Sequence, residues 1–269
     1  MAKLIETDIT QLADFIAEVE SASVTPSHSL WYRGVGKSSH FLLPSLYRHP
    51  TLRTSAEMLD LEEKILVRFR ERSVPYRDFP LSDSWEYLFL MQHFGVPTRL
   101  LDWTENPFVA LFFALIFADY DKLTGNYLED AVVWMLDPAS WNQTVFAHIS
   151  YSGAALSTSD RPLLPYRPKP DNPDPVPAHP AALYGIHNSP RIVAQRGVFT
   201  IFGSSMDPLE QIYENNNFPP YALKKLLIKK HSITTLKERI FALGFTDSVI
   251  FPDLEGLARE TKRTFGFEV

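Results

Sequence analysis

The first segment that could bind a ligand is the run Trp31-Tyr32-Arg33-Gly34. Burying an arginine is costly unless its five N–H donors meet an anion. A glycine directly after it lets a ligand approach the backbone. The run therefore predicts a strand that presents Arg33 to an anionic ligand. The alternative is an arginine that pairs with a carboxylate of the core.

The densest set of polar side chains lies in residues 92–107, where they alternate with Leu, Trp and Pro. Its members are His93, Thr98, Arg99, Asp102, Thr104 and Asn106. Polar groups at this density in an apolar segment must satisfy one another or a ligand. Asn106-Pro107 predicts the start of a helix, whose free N–H groups suit an anion. The alternative is a buried Arg99–Asp102 pair, with Asn106 only capping the helix.

Two further segments carry polar groups of the same kind. Gln195 precedes the run Gly197-Val-Phe199, and its amide could hydrogen-bond a ribose hydroxyl. The alternative at Gln195 is a strand edge beside a glycine bulge. A basic stretch over residues 224–239 could meet phosphates, although such a stretch is more often a solvated face.

Several chemistries are excluded by what the sequence lacks. The chain has no Cys, so thiolate nucleophiles and Cys-based metal sites are excluded. Its eight His show no H-E-x-x-H spacing, so we expect no metal. It contains no P-loop, no G-x-G-x-x-G, no G-x-S-x-G and no kinase signature, which removes the main support for ATPase, Rossmann and hydrolase functions.

Composition and charge indicate a globular protein of the cell interior. The 269 residues are 45% apolar and 22% charged, with a net charge of −6. Glu6 and Asp8 stand where a signal peptide would need an apolar core. The longest apolar stretch, Phe108 to Ala118, is far below the roughly 20 residues that span a bilayer. We therefore expect a soluble, cytoplasmic protein that does not contact membranes.

Hydrophobic spacing predicts the elements that position these residues. Helices are expected over 8–20, 55–73, 85–93 and 234–243, and from Asn106-Pro107 onward. Strands are expected over 30–34, up to 103 after a turn at 95, and over 131–136, 221–230 and 247–251, with two strand-like runs in 191–202. Helices come early and no even βα rhythm follows, so we predict the α+β class.

Proline is concentrated in one segment. The chain has 21 Pro against about 13 expected at roughly 5% usage, and nine of them fall in residues 161–190. Such a segment can be neither helix nor inner strand, so we predict a long extended insertion. The chain is then one domain, with residues 1–27 as an N-terminal helical part and 161–190 as an inserted loop.

The polar segments resemble the motifs of the FRG-domain family. Tyr32-Arg33-Gly34 stands where the family has its naming Phe-Arg-Gly motif. Residues 92–104, followed by Asn106-Pro107, resemble the family's central signature almost letter for letter. Arg191 with residues 195–199, and residues 251–258, are similar to its two C-terminal motifs. The resemblance covers about residues 28–260 and is weakest in the Pro-rich insertion.

The order of these motifs is similar to that of ADP-ribosyltransferases. This resemblance implies a split β-sheet that binds NAD⁺, as a substrate, in a cleft between its two halves. Arg33, Asp102 and Gln195 would then be the catalytic residues. The residues implied to bind NAD⁺ are Tyr32, Arg33, Gly34, His93, Thr98, Arg99 and Asn106.

One position departs from the transferase pattern. Gln195 falls where those enzymes have a Glu, and a neutral amide gives less electrostatic help to a cationic transition state. We expect Asp102 to supply the acid. The alternative acids are Glu86, Asp253 and Glu255.

The family resemblance also implies a biological role. FRG-like proteins are associated with toxins of bacterial toxin–antitoxin and phage-defence systems, which implies a macromolecular acceptor such as RNA or DNA and an antitoxin protein as partner. The alternatives are a non-catalytic module that binds a nucleotide or a protein, and an NAD⁺ glycohydrolase.

Overall fold

The computed structural model describes residues 3–22, 29–77, 80–149, 151, 153–169, 171, 175–186 and 190–267, and these contain nine strands and ten α-helices. The strands are β1 (Ile5–Ile9), β2 (Trp31–Val35), β3 (Leu100–Thr104), β4 (Tyr120–Asp121), β5 (Asn126–Tyr127), β6 (Ala131–Leu136), β7 (Ala181–Tyr184), β8 (Gly197–Ile201) and β9 (Leu223–Ile228). The helices are α1 (Leu12–Ala22), α2 (Ser55–Arg72), α3 (Ser84–His93), α4 (Pro107–Ile116), α5 (Pro138–Val145), α6 (Pro190–Ala194), α7 (Leu209–Asn215), α8 (Ile233–Ala242), α9 (Asp247–Ile250) and α10 (Leu254–Thr264).

Seven of the strands form one mixed sheet in the order β1-β9-β6-β2-β3-β8-β7. Only β1 and β9 pair in parallel, and the other neighbours are antiparallel. All six residues of β6 are buried near the middle of the sheet, as the unbroken apolar run 131–136 predicts. Because helices and a mixed sheet occur together without a βα repeat, the predicted α+β class is confirmed.

The sheet is nearly divided between β2 and β3. Strand β2 pairs with β6 along its whole length, and β3 does the same with β8. Between β2 and β3, however, the ladder holds only Tyr32 opposite Thr104. We call the place where these two strands separate the β2–β3 opening.

Helix α4 packs directly on β2 beside this opening. Pro107 occupies its first turn, and the Asn106 side chain accepts a hydrogen bond from the backbone N–H of Phe108 at 3.0 Å, as the Asn-Pro pair predicts. The helix approaches so closely that a Cβ on Gly34 would lie 1.8 Å from the carbonyl oxygen of Ala110. Only a glycine at position 34 permits this contact.

Alternating residues of the strands enter cores on opposite faces of the sheet. Trp31 and Leu101 belong to one buried cluster, whereas their neighbours Tyr32 and Leu100 belong to two others. The cluster around Tyr32 includes α4, and the cluster around Leu100 includes α3. Helices α3 and α4 therefore cover the same face on the two sides of the β2–β3 opening.

Three sequence predictions of local structure are wrong. Residues 5–9 form an unpredicted strand, and the first helix begins only at Leu12. Residues 247–251, predicted as a strand, contain the single helical turn α9. The first strand-like run of 191–202 is helix α6, which begins at Pro190. A short apolar run fits a helical turn as well as a strand, and neighbouring elements decide between them.

The Pro-rich segment is not one extended loop. Arg161–Tyr166 is a 3₁₀ helix, and Ala181–Tyr184 is β7, at the edge of the sheet. On the outer side of β7 the described residues form only an isolated bridge, between Leu156 and Leu183, so nearby prolines interrupt no further strand. Residues 170, 172–174 and 187–189 of this segment, and residues 1, 2 and 23–27 of the N-terminal part, lie outside the described residues. In the described part of the chain, no helix is both long and apolar enough to cross a membrane.

The close contact between β2 and α4 gives a stability prediction. Gly34→Ala should lower the free energy of unfolding by about 3 kcal/mol or more, because the new methyl group meets backbone atoms that cannot rotate away. The matched control is Gly197→Ala in β8, whose Cβ would first meet a side-chain methyl group, Cγ2 of Ile192, at 3.2 Å. We expect it to cost about 1 kcal/mol or less. Urea unfolding measures both, and equal losses would contradict the close-packing argument.

Candidate functional site

A pocket of about 290 Å³ lies at the β2–β3 opening, where three strands and three helices converge. Its lining residues are Tyr32, Arg33, Gly34, Phe89, Gln92, His93, Asp102, Trp103, Thr104, Phe113, Phe117, Arg191, Ile192, Gln195, Gly197 and Phe199. Six of the residues proposed from the sequence are among them: Tyr32, Arg33, Gly34, His93, Asp102 and Gln195. The fold thus brings together residues that the chain places far apart.

Arg33 spans the opening from β2 to β3. Its Nη1 donates to the backbone carbonyl oxygen of Asp102 at 2.6 Å and lies 3.8 Å from the Asp102 carboxylate. Burial lowers the pKa of the guanidinium, and the carboxylate of Asp102 partly offsets that effect. A quarter of the side chain is exposed, so Arg33 remains charged and has donors available to a ligand.

Asp102 is oriented by a chain of hydrogen bonds that begins at Thr98. The Thr98 hydroxyl donates to the Gln92 side-chain oxygen, and the Gln92 amide donates to Asp102 Oδ2 at 2.8 Å. Just over half of the Asp102 side chain is exposed. Gln92, which the sequence did not single out, therefore fixes a carboxylate that still faces the pocket.

His93 lies at the end of α3 and lines the same pocket. Partial burial lowers its pKa, and the nearby charge of Arg191 lowers it further, against the opposing effect of Asp102. The imidazole is therefore neutral at pH 7 and can accept a proton.

Arg191 and Gln195 contact the C-terminal end of α9 and the residue that follows it. The Arg191 guanidinium lies 4.7 Å from the centre of the Phe251 ring, and Gln195 Nε2 donates to the Ile250 carbonyl oxygen at 3.0 Å. Burial lowers the Arg191 pKa. The sequence showed Arg191 only as part of a motif and gave it no role, and its place in the pocket was missed.

Arg99 does not line the pocket, contrary to its expected role in binding NAD⁺. It is fully buried, with Nε 2.9 Å from both oxygens of Glu62 and the terminal nitrogens donating to the carbonyls of Phe202 and Tyr166, each at 2.8 Å. Burial opposes its charge, but Glu62 and the neighbouring Tyr47 raise its pKa. The predicted alternative of an Arg99–Asp102 pair is wrong, because α2 supplies the partner.

Thr98 and Asn106 also lie outside the pocket lining, and each hydrogen-bonds a residue that lines it. Thr98 orients Gln92, and Asn106 caps α4. The Thr104 hydroxyl accepts from the Asn106 N–H at 3.0 Å and donates to the Gln195 carbonyl at 2.6 Å. Asn106 thereby contacts Thr104, which lines the pocket, but does not line the pocket itself.

The alternative acids are engaged elsewhere. Glu86 belongs to the capping box of α3, Asp253 caps α10, and Glu255 pairs with Arg259 at 2.5 Å. None of the three lines the pocket, and Asp102 is the one carboxylate among its described lining residues. Of the four acids considered, only Asp102 is placed to act there.

Three lysines of the basic stretch, in β9 and directly after it, are paired with carboxylates of α1, of β1 and of the residue before β6. Lys224 pairs with Glu18, Lys225 with Glu6 at 3.0 Å, and Lys229 with Asp130 at 2.6 Å. These lysines are therefore poor candidates for a phosphate-binding surface.

Two observations concern other places in the molecule. The described residues hold no group of three or more His, Asp or Glu that could bind a metal. A second cavity of about 640 Å³ lies between residues 145–149 and the Pro-rich segment, which contributes Tyr166 and Pro177. The described part of that segment does not line the pocket at the β2–β3 opening.

The comparison with known families identifies part of the chain. The model of the FRG domain matches residues 28–122, which include β2, α3, β3 and α4. The family resemblance is confirmed over this range, and the match contains Arg33, His93 and Asp102. No curated protein and no solved structure matches the chain.

The buried Arg99–Glu62 pair gives a second stability prediction. Glu62→Gln should lower the free energy of unfolding by about 3 kcal/mol or more, because it leaves the Arg99 charge buried without a counter-ion. Asp60→Asn, on the same helix, removes a carboxylate of the exposed Lys64 pair and should change stability little. Guanidinium unfolding of both variants tests this. A Glu62→Gln protein as stable as the Asp60→Asn control would contradict it.

Proposed function

We propose that this chain is an NAD⁺-dependent ADP-ribosyltransferase whose site is the pocket at the β2–β3 opening. The observation that carries the proposal is that Arg33, Asp102 and Gln195 line one pocket at the place where the sheet nearly divides. A transferase of the kind that the motif order resembles requires this convergence in a split sheet.

The pocket suits one half of a dinucleotide and its phosphates. Two guanidiniums, Arg33 and Arg191, and a single carboxylate favour an anion. Phe113 and Phe117 stack with their rings nearly parallel, and Phe117 is 59% exposed, so a planar ring can lie against them. A volume of about 290 Å³ is near the lower end of the roughly 300–1,000 Å³ of ligand pockets, so we place the nicotinamide half inside and the adenosine outside.

The proposed reaction moves ADP-ribose from nicotinamide to an acceptor. The bond between ribose C1′ and the nicotinamide nitrogen breaks, and nicotinamide leaves as a neutral molecule with the bonding electrons. Asp102 stabilises the positive charge that develops on the ribose. An acceptor hydroxyl or amine then bonds to C1′ and gives its proton to neutral His93.

The acceptor in this proposal is a macromolecule that meets the pocket rim. RNA and DNA are the candidates, in a toxin whose activity an antitoxin restrains. The exposed Phe117 ring offers a base a stacking surface at the rim. The lysines of β9 do not serve this purpose, because Glu6, Glu18 and Asp130 already pair with them.

A second candidate function, a nucleotide-binding module without catalysis, is favoured by one contact. The Gln195 side chain donates to a backbone carbonyl, so the position that carries an acid in transferases serves structure here. A module and a glycohydrolase would use the same pocket, and the products distinguish them.

Asp102→Asn tests the catalytic proposal. We expect nicotinamide release from NAD⁺ to fall by about 10²-fold or more, since the neutral amide cannot stabilise the cationic ribose. NAD⁺ should still bind, because Arg33 and Arg191 remain in place. The control is Asp121→Asn, which removes a carboxylate from the small β4–β5 hairpin.

The assay combines calorimetric NAD⁺ binding, chromatographic detection of nicotinamide, and transfer of labelled ADP-ribose to purified RNA, DNA and lysate protein. Label on an acceptor supports the transferase, and free ADP-ribose as the sole product indicates a glycohydrolase. Binding without nicotinamide release would establish the module and reject catalysis. Wild-type protein that binds no NAD⁺ would overturn the transferase, the glycohydrolase and an NAD⁺-binding module.

The pH dependence of the rate tests the role of His93. At saturating NAD⁺, the transfer rate should fall as pH decreases through the His93 pKa, which burial places below the ordinary 6.5. Only the neutral imidazole accepts a proton, so the rate should be level above that pKa. His93→Gln should lower the rate at pH 8 and remove this acid limb. An unchanged limb in the variant would assign it to another group.

A further inference from the structure

We propose that Arg191 and Arg33 form a two-arginine clamp for a diphosphate group, and that Gln195 is the positioning residue of Arg191. This inference deepens the proposed function, on which it rests for the natural ligand. It assigns an anion-binding role to a residue outside the FRG-domain match and explains the amide at position 195.

Arg191 is placed to bind an anion. It lines the pocket, and its guanidinium carbon lies over the Phe251 ring, 4.7 Å from the ring centre. Within the described residues, no carboxylate lies within ion-pair distance of it. A ring contact holds a guanidinium in place while leaving its N–H donors for a ligand.

The charges of the pocket favour an added anion. Asp102 compensates one of the two arginines. Its carboxylate lies 3.8 Å from Arg33 Nη1, whereas it acts on Arg191 only as a nearby charge. With His93 neutral, one positive charge is left over. A single phosphate could be held by either guanidinium alone. A diphosphate offers each arginine its own phosphate, and arginine forks match phosphate oxygens in pairs.

Gln195 fixes the ring on which Arg191 rests. Its Nε2 donates to the backbone carbonyl of Ile250, the residue before Phe251. The backbone carbonyl of Gln195 accepts from the Thr104 hydroxyl. Gln195 therefore joins β3 to the turn that carries the ring. The side chain must donate to this carbonyl, so an ionised Glu, which only accepts, cannot replace it.

The test measures the affinity for inorganic pyrophosphate by calorimetry. Arg33→Gln and Arg191→Gln should each weaken binding by about tenfold or more, a loss of about 1.4 kcal/mol or more. The matched control is Arg259→Gln. Arg259 also lies over the Phe251 ring, at 5.2 Å, but does not line the pocket, so this variant should stay within about twofold of wild type.

The role of Gln195 is tested with Gln195→Glu at two pH values, each compared with wild type at the same pH. At pH 7.5 the introduced carboxylate faces the Ile250 carbonyl, so pyrophosphate affinity should fall about as far as in Arg191→Gln. The facing carbonyl oxygen and partial burial disfavour the ionised form and raise the pKa of the introduced carboxyl group above the ordinary value of about 4.3. At pH 5.0 its protonation therefore restores a donor, and part of the loss should be recovered. A merely structural defect would persist at both pH values, and thermal melts of each variant establish that it is folded.

The outcomes separate this inference from the proposed function. Equal affinity of Arg191→Gln and wild type for pyrophosphate would overturn the clamp, even if NAD⁺ is consumed. A loss in Gln195→Glu that is the same at pH 5.0 would overturn the positioning role. Losses in both arginine variants and none in Arg259→Gln would support the clamp, even if no nicotinamide is released and the transferase proposal fails.

Discussion

The hydrogen bond from Arg33 to the backbone of Asp102 is the contact on which the site depends. Beyond Tyr32 and Thr104 the β2–β3 ladder stops, and a carbonyl that would otherwise pair with a backbone N–H accepts from a guanidinium instead. A side chain spans more distance than a backbone pair, so the strands can separate while this carbonyl stays satisfied. The pocket is the space between the separated strands, where a side-chain hydrogen bond replaces a backbone one.

Each side of the opening needs its own support, because the strands no longer hold one another. On the β2 side, Gly34 lets α4 approach to backbone contact. On the β3 side, Arg99 connects the start of the strand to α2 and to the backbone carbonyls of Phe202 and Tyr166. Burial distinguishes the three arginines: Arg99 has every group paired inside the protein, whereas Arg33 and Arg191 keep donors towards the pocket. The fully buried arginine is structural for that reason.

The sequence predicted the features that neighbouring residues determine, and it missed those that depend on residues far apart in the chain. The Asn106-Pro107 helix start and the buried strand 131–136 follow from neighbouring residues, and both were predicted. Arg99 was assigned to the ligand because its partner Glu62 lies on another helix and the density of polar residues does not identify partners. Residues 247–251 were misassigned because their apolar part, residues 249–251, is too short to show a decisive period. Gln92 and Arg191 gained roles only from contacts that the fold brings about.

The direction of a hydrogen bond constrains residue type as strictly as burial does. At position 195 the partner is a carbonyl, so the side chain must donate, and an amide does so at any pH at which the protein is folded. An acid at the same place would be favoured only in its protonated form, which is useless for stabilising a cation. Because Gln195 must donate a hydrogen bond, the carboxylate of the pocket has to come from another position, and Asp102 supplies it. With the acid on β3, position 195 can hold the Phe251 ring beneath Arg191. The carboxylate is then oriented by Gln92, on the same strand whose backbone Arg33 contacts.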